Sequence, residues 1–357
     1  MTVFPKDHDQ IVRALQYPRG VVDVVIDTDA YNEVDDQFAV AWALASPQRM
    51  NVQAVYAAPF CSKAIQKMMP IPDEMLQQSP HYAGDPAEGM EKSYQELLKL
   101  FALMDQPASG RVFRGSTRYL GGDGQPVESE AARDLVQRAM ARGEGERLYV
   151  LAIGAITNIA SAILMEPKIV DKITVVWLSG QPLHFQNTAE FNLMQDMIAS
   201  KLMLDCGVPL ILIPCMGVAS HLTLTAPELD QLLIGKSKIG SYLGEIVRET
   251  FTPTSIPMSD RFMKMAYLKG VDDVPAQVSA AYTAQVTAWS HVVWDISTVG
   301  YLMNPNWSAS TLVPAPILTD DLTWQLDPKR HPIRLCHYIN RDYMFGDMFA
   351  KFSASEA

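Results

Sequence analysis

The chain has 357 residues, 48% of them apolar, and a formal net charge of −11 at pH 7. That length and apolar content suffice for a full α/β core and exclude an intrinsically disordered chain. The acidic balance excludes a general phosphate-backbone binder, which needs a basic face, but leaves a small neutral substrate open.

No apolar stretch reaches the ~18 residues of a membrane span. The opening MTVFPKDHDQIVRAL has no apolar signal core, so a cytoplasmic location is expected. Cys61, Cys206, Cys215 and Cys336 are far apart and form no CxxC pair. Free thiols in a reducing compartment are the reading, with no zinc or redox motif.

In chain order, Val21 to Ile26 reads as a buried parallel strand carrying one charge, Asp23. Phe38, Ala39, Trp42 and Ala43 then recur at helical spacing. NVQAVYAA (51–58) reads as a second strand, and residues 61–88, rich in Met, Pro and Gln, as an irregular lid or binding loop. MEKSYQELLKLFALM (90–104) is an amphipathic helix. RLYVLAIG (147–154) is a strand, and AITNIASAIL after it a helix. ITVVWLSG (173–180) and PLILIP (209–214) are strands, with the helical MQDMIASKLMLDC between them. Residues 225–251 read as one or two helices, 255–285 as a mixed region and 294–303 as a helix. PIRLCHYI (332–339) is among two or three late strands, before a final helix from about Arg341. Strand–helix alternation with apolar strands predicts a mostly parallel sheet covered by helices on both faces, with short extra strands near the C-terminus. With no repeat and no Gly/Ser linker, one domain over 1–357 is expected.

The segment VVDVVIDTDAYNEVDDQFAVAWAL places Asp27, Asp29, Asp35 and Asp36 between that first strand and its helix. Strand ends of open α/β sheets are where ligands bind. Two unit charges ~4 Å apart repel by roughly 4 kcal/mol at an effective dielectric of ~20. A bound cation removes that cost, and oxygen ligands suit Ca²⁺ or Mg²⁺. Helix capping accounts for Asp35 and Asp36 but does not require Asp27 and Asp29 as well.

This segment resembles the DTDPGxDD opening of the inosine-uridine nucleoside hydrolases, with a turn two residues longer. A variant of the family carrying NExDDQ is more similar, and Asn32, Glu33, Asp35, Asp36 and Gln37 match it. LAIGAITNIASAI resembles the family's ATGPLTNIA turn, which puts Ile153 where a backbone carbonyl binds Ca²⁺. SGQPLHFQNTAEFNLMQD resembles GG…GNxxPxAEFNxxxDPEAA, so Glu190 and Asn192 take the positions that hydrogen-bond ribose hydroxyls. A carboxylate and an amide together suit a vicinal diol. The family's Asn, six residues before that Glu, is His184 here, so either His184 replaces the amide or Asn187 reaches in. HVVWDISTVGYLMNP resembles HDPLAVAYLLDP; Asp295 matches the last metal carboxylate, and Trp294 stands where purine-cleaving members carry a His.

The resemblance implies Ca²⁺-dependent hydrolysis of a ribonucleoside to ribose and free base. Asp29, Asp36, Asp295 and the Ile153 carbonyl are the implied metal ligands, and Asp29 the general base. Asp35, Glu190, Asn192 and Asn187 are the implied ribose contacts, and Asp27 orients the loop behind them. Trp294, His184 and Tyr31 are the candidates for stacking on the base or protonating it. The partner is a small nucleoside, not nucleic acid or membrane, and the family implies a homodimer or homotetramer. Two other classes compete: a nucleoside- or ribose-binding protein that keeps the calcium pocket without leaving-group activation, and a metal-dependent phosphotransferase built on the DxD.

Overall fold

The computed structural model describes residues 7–68, 71–251 and 290–353. Its strands, in chain order, are β1 (Val22–Thr28), β2 (Met50–Ala57), β3 (Val112–Arg114), β4 (Leu148–Ala152), β5 (Ile173–Leu178) and β6 (Leu210–Ile213). They are followed by β7 (Thr223–Thr225), β8 (Ser290–Val292), β9 (Ser308–Pro314), β10 (Ile317–Leu318), β11 (Trp324–Gln325) and β12 (Pro332–Ile339). Eight of them form one sheet in the order β3-β2-β1-β4-β5-β6-β12-β9. Every pairing in it is parallel except that of β12 with β9. The pairs β7–β8 and β10–β11 are separate antiparallel ribbons.

Both faces of the sheet are covered, which is why its central strands read as continuous apolar runs. Val24 and Ile26 of β1 pack toward the helices Asp36–Leu44, Ile296–Met303 and Arg341–Ser353. Val25 between them packs toward Glu130–Met140, Thr157–Met165 and Met197–Asp205. This two-residue alternation is the strand period itself. Asp23 accepts a hydrogen bond from Asn51 Nδ2 at 2.7 Å and pairs with Arg142, so the acid at the start of β1 is compensated there.

From β1 the chain builds outward to β2 and β3 on one side; from β4 it builds to β5 and β6 on the other. The order therefore reverses between β1 and β4, and the crevice beyond their C-terminal ends is the topological switch point of the sheet. Asp29 follows β1 and Ile153 follows β4, so both lie at that crevice.

Several elements differ from expectation. The helix expected across 194–206 is two helices, Phe191–Gln195 and Met197–Asp205, because Asp196 leaves helical geometry (φ −126°, ψ 84°) and caps the second through Ala199 N–H. A helix at His8–Ala14, opened by an Asp7 cap, was not anticipated, nor were the edge strand β3 and the helix Glu130–Met140. The segment read as irregular contains short helices at Ser62–Lys67 and Asp73–Leu76, and the amphipathic helix starts at Pro86 behind an Asp85 cap. The mixed region expected at 255–285 lies outside the described residues. Among the described residues no helix is long and apolar enough to cross a membrane.

Candidate active site at the end of the first strand

The turn after β1 is held by its own backbone and by Gln37. Asn32 N–H donates to Asp29 O at 2.7 Å, and Gln37 Nε2 to Ala30 O at 2.6 Å. The extra residues of the turn thus close on the last residue of the NExDDQ motif. Tyr31 projects from this turn onto the 61–85 segment: its hydroxyl donates to Pro80 O at 3.3 Å, and its ring lies 5.1 Å from that of His81.

Asp35 is the N-cap of Asp36–Leu44, and Asp295 that of Ile296–Met303. Two helix N-termini therefore meet at the crevice, where backbone N–H groups favour negative charge. Asp295 N–H donates to Asp35 Oδ2 at 3.3 Å, and Trp294 N–H also points at this carboxylate. Carboxylate oxygens of Asp35, Asp36 and Asp295 all lie within 4.8 Å of one another. Thr28 Oγ1 donates to Asp36 Oδ1, tying it back to β1. Asp29 stands against the same group; its Oδ2 is buried, and apart from the neighbouring Gln195 side chain nothing among the described residues is placed to pair with it.

All four are buried, with exposures of 1% to 4%. Burial, then mutual repulsion, pushes Asp35 up to about 8. Burial pushes Asp36 up to about 7, and Thr28 partly opposes it. Asp29 and Asp295 rise well above the usual carboxylate range, first from burial and then from the neighbouring acids. Such a group is unstable as four bare anions and is relieved by a cation.

Asp27 lies behind them. Its Oδ1 accepts from Asn158 Nδ2 at 2.8 Å, and burial pushes it up to about 7. Asn158 also accepts from Ser116 N–H at 2.7 Å. Ile153 N–H donates to Asp27 O at 2.9 Å, extending the β1–β4 ladder to the crevice, and Gly154 packs against Asp29. A Cβ on Gly115 would sit 1.9 Å from Ala57 O and 2.5 Å from Asn158 Nδ2. Neither neighbour can retreat: one is strand backbone and the other bridges Asp27 to residue 116. Gly115→Ala is expected to lose about 3 kcal/mol of stability, read by urea unfolding; a midpoint matching the parent would show that this support is slack.

Glu190 caps Phe191–Gln195, accepting from Asn192 N–H at 3.0 Å, Leu193 N–H at 3.0 Å and Gly180 N–H at 2.9 Å. Burial raises it, and these bonds oppose the rise. Asn192 Nδ2 donates to Leu178 O at 3.2 Å. The buried Cys215 thiol touches Glu190 and feels Asp295 and Asp35. Glu33 is exposed at the rim, near Asp35 and Glu190.

Asn187 and His184 are exposed, and their contacts stay within their own loop. Asn187 Oδ1 accepts from Ala189 N–H at 2.6 Å, and His184 packs edge-on to Phe185. Trp294 is half-buried against the core. His291 sits on β8, its Nδ1 3.3 Å from Thr250 Oγ1, and burial pushes it down to about 4.

Two residues that motif reading passed over stand close to Asp29. Gln195 follows the AEFN motif, and Tyr119 arrives from the loop after β3. Cys215, just after β6, was passed over too and stands by Glu190, Asp295 and Asp35. No local signal marks them, since each is brought in by the sheet rather than by sequence spacing.

The arrangement can be set beside known proteins. The chain is 24% identical over 285 residues to a probable uridine nucleosidase 2 of Arabidopsis thaliana, covering 78% of this chain and 82% of that one. It is 26% identical over 289 residues to a pyrimidine-specific ribonucleoside hydrolase, RihB, of Escherichia coli O157:H7, covering 79% of each. The solved purine-preferring ribonucleoside hydrolase from Gardnerella vaginalis shares its fold, with a TM-score of 0.64 at 16% identity, over 93% of this chain and 98% of that one. The family described as inosine-uridine preferring nucleoside hydrolase matches residues 24–327, from β1 past the last of the clustered acids. With that match over most of its length, the chain belongs to the inosine-uridine preferring nucleoside hydrolase family and is a nucleoside hydrolase.

Proposed function

We propose that this enzyme hydrolyses the N-glycosidic bond of a ribonucleoside, giving ribose and a free base, with Ca²⁺ as its metal. The observation that carries the reading is the convergence of Asp35, Asp36 and Asp295 within 4.8 Å at the switch point, beside Asp29. An all-oxygen set of buried acids, one with an orphaned oxygen, fits a hard divalent cation. Asp29, Asp36, Asp295 and the Ile153 carbonyl would hold it, and the grouping adds Asp35 as a candidate ligand. When bound, the cation neutralises these acids, grips the ribose diol and makes a nearby water easier to deprotonate.

Asp29 takes the proton from the attacking water as the bond to the base breaks. The surrounding carboxylates favour the positive charge that develops on the ribose ring. Glu190 and Asn192, fixed at the opening of one short helix, receive the sugar hydroxyls together with Asp35. Asp27, held by Asn158, keeps the turn in place. Trp294 offers an aromatic face suited to a nucleobase. Among the described residues, Tyr31 and His184 are the proposed sources of a proton for the leaving base, with solvent as the alternative.

Free ribose released from purine, pyrimidine and nicotinamide ribosides, with Ca²⁺ and then with chelator, tests this. Release from at least one riboside, lost on chelation and restored by Ca²⁺, is expected and names the base. Nucleoside that binds without any release would make the protein a binder. Cleavage of a generic phosphate ester instead would favour phosphoryl transfer.

A further inference from the structure

Gln195 is 3% exposed, so each polar atom of its amide needs a partner. Its Oε1 accepts two hydrogen bonds, from Cys61 N–H at 3.1 Å and Tyr119 O–H at 2.8 Å. A backbone N–H can only donate, so the atom facing Cys61 must be the amide oxygen; the flipped amide would set donor against donor. The orientation of the side chain is thereby fixed, and its Nε2 points away from both donors. That Nε2 and Asp29 Oδ2 are both buried with no other partner among the described residues, and the Gln195 side chain acts on the Asp29 carboxyl as a hydrogen-bonding neighbour. A donor and an acceptor, each costing about 1–3 kcal/mol if left unpaired, stand across one small space.

The frame around them is rigid. Asp196 Oδ2 accepts from Leu120 N–H at 2.9 Å and from Thr157 Oγ1 at 2.7 Å, so residues 119–120 are fastened to 195–196. Lys67 Nζ donates to Met194 O at 2.8 Å, holding the 61–67 segment to the same place.

We propose that Gln195, aimed by Tyr119 and the Cys61 backbone, is a positioning residue that supplies the fixed donor for Asp29 Oδ2 and so sets the carboxylate for proton abstraction. The inference rests on the hydrolase reading above. Gln195 touches neither the sugar nor the clustered acids Asp36 and Asp295 in this role; because Asp29 is also a proposed metal ligand, its effect on turnover is read at saturating Ca²⁺.

The test uses Gln195→Met, Tyr119→Phe and the double variant, on the riboside the parent cleaves fastest, with Ca²⁺ affinity measured by calorimetry. Gln195→Met is expected to lower kcat about 10- to 100-fold, the range for groups that orient a metal-site carboxylate from behind. At saturating Ca²⁺, KM for the riboside should stay within about twofold, while Ca²⁺ affinity falls by no more than about tenfold because only one proposed ligand, Asp29, is loosened. Tyr119→Phe should lower kcat less, with the same split. The double variant should be no worse than Gln195→Met alone, because Tyr119 acts only through Gln195.

Unchanged kcat at saturating Ca²⁺, or KM moving in step with kcat, overturns the proposal, as do losses that multiply in the double variant. Should Gln195→Met fail to fold, Tyr119→Phe, which removes one oxygen atom, decides on the same criteria. A parent that releases no ribose overturns the hydrolase reading and this inference together; an active parent with an unaffected Gln195→Met overturns the inference alone.

Discussion

Asp29→Asn is expected to lower the rate of ribose release about 10³-fold, within the range for loss of a positioned general base. The substitution is nearly isosteric, so the turn, the Asn32 N–H to Asp29 O bond and the packing of Gly154 all survive. What is lost is an anion that can accept a proton at the one place where β1, the Ile153–Gly154 turn and the Asp35–Asp36 pair meet. Asp27→Asn is the informative contrast. Asp27 is equally buried and equally close in sequence, but its carboxyl is turned to Asn158. An Asn at 27 still accepts that hydrogen bond through its own amide oxygen. Its kcat should stay within about tenfold of the parent, since a partner lying behind the reacting groups is worth about 10–100-fold at most. Ribose release by the two variants, under saturating Ca²⁺, decides: equal losses, or an Asp29→Asn variant within tenfold of the parent, would remove Asp29 from the role of base.

Much of this site could be read from residues 21–44, 190–196 and 294–295, because its chemistry is written in acids placed at strand and helix ends. A carboxylate at the end of an apolar run has few structural uses, and β1 puts Asp29 where the sheet order reverses. PIRLCHYI coincides with β12, since that strand is bounded by polar residues on both sides. What escaped was held by tertiary contact alone. Tyr119 and Gln195 are 76 residues apart, and nothing in either segment predicts that the loop after β3 reaches the crevice. β3 has three residues, too short for a period. The break at Asp196 was hidden because the flanking residues are good helix formers; the Asp side chain wins by satisfying Ala199 N–H, Leu120 N–H and Thr157 at once. The 61–85 segment has no pattern of its own because it is fastened at points rather than along a face: Cys61 to Gln195, Lys67 to Met194 and His81 to Tyr31.

The same crowding that marks the site makes the metal-free protein sensitive to pH, with a sign opposite to ordinary acid denaturation. Asp27, Asp35 and Asp36 are pushed up to about 7, 8 and 7, and Asp29 and Asp295 also rise well above the usual carboxylate range. In the unfolded chain these groups titrate near 3.9. Between roughly pH 4 and 8 the folded state therefore holds more protons than the unfolded state, and stability falls as pH rises. The contribution is complete below pH ~4 and is lost as pH climbs through 7 to 8. A tenfold difference in proton affinity between the folded and unfolded chain is worth about 1.4 kcal/mol, so this cluster costs the chelated protein on the order of several kcal/mol at pH 8. If Ca²⁺ is the metal, as proposed, it binds the ionised acids and should reverse that loss, stabilising more at pH 8 than at pH 5. In chelator the melting temperature should fall by about 5 °C or more between pH 5 and pH 8, and Ca²⁺ should restore most of it. A melting temperature independent of pH in chelator, or an equal gain from Ca²⁺ at both pH values, would mean that these acids are not the metal's ligands. Their convergence would then have to be explained by helix N-termini alone, where Asp35 and Asp295 hold the N-cap positions without a side-chain capping bond and Asp29 holds none.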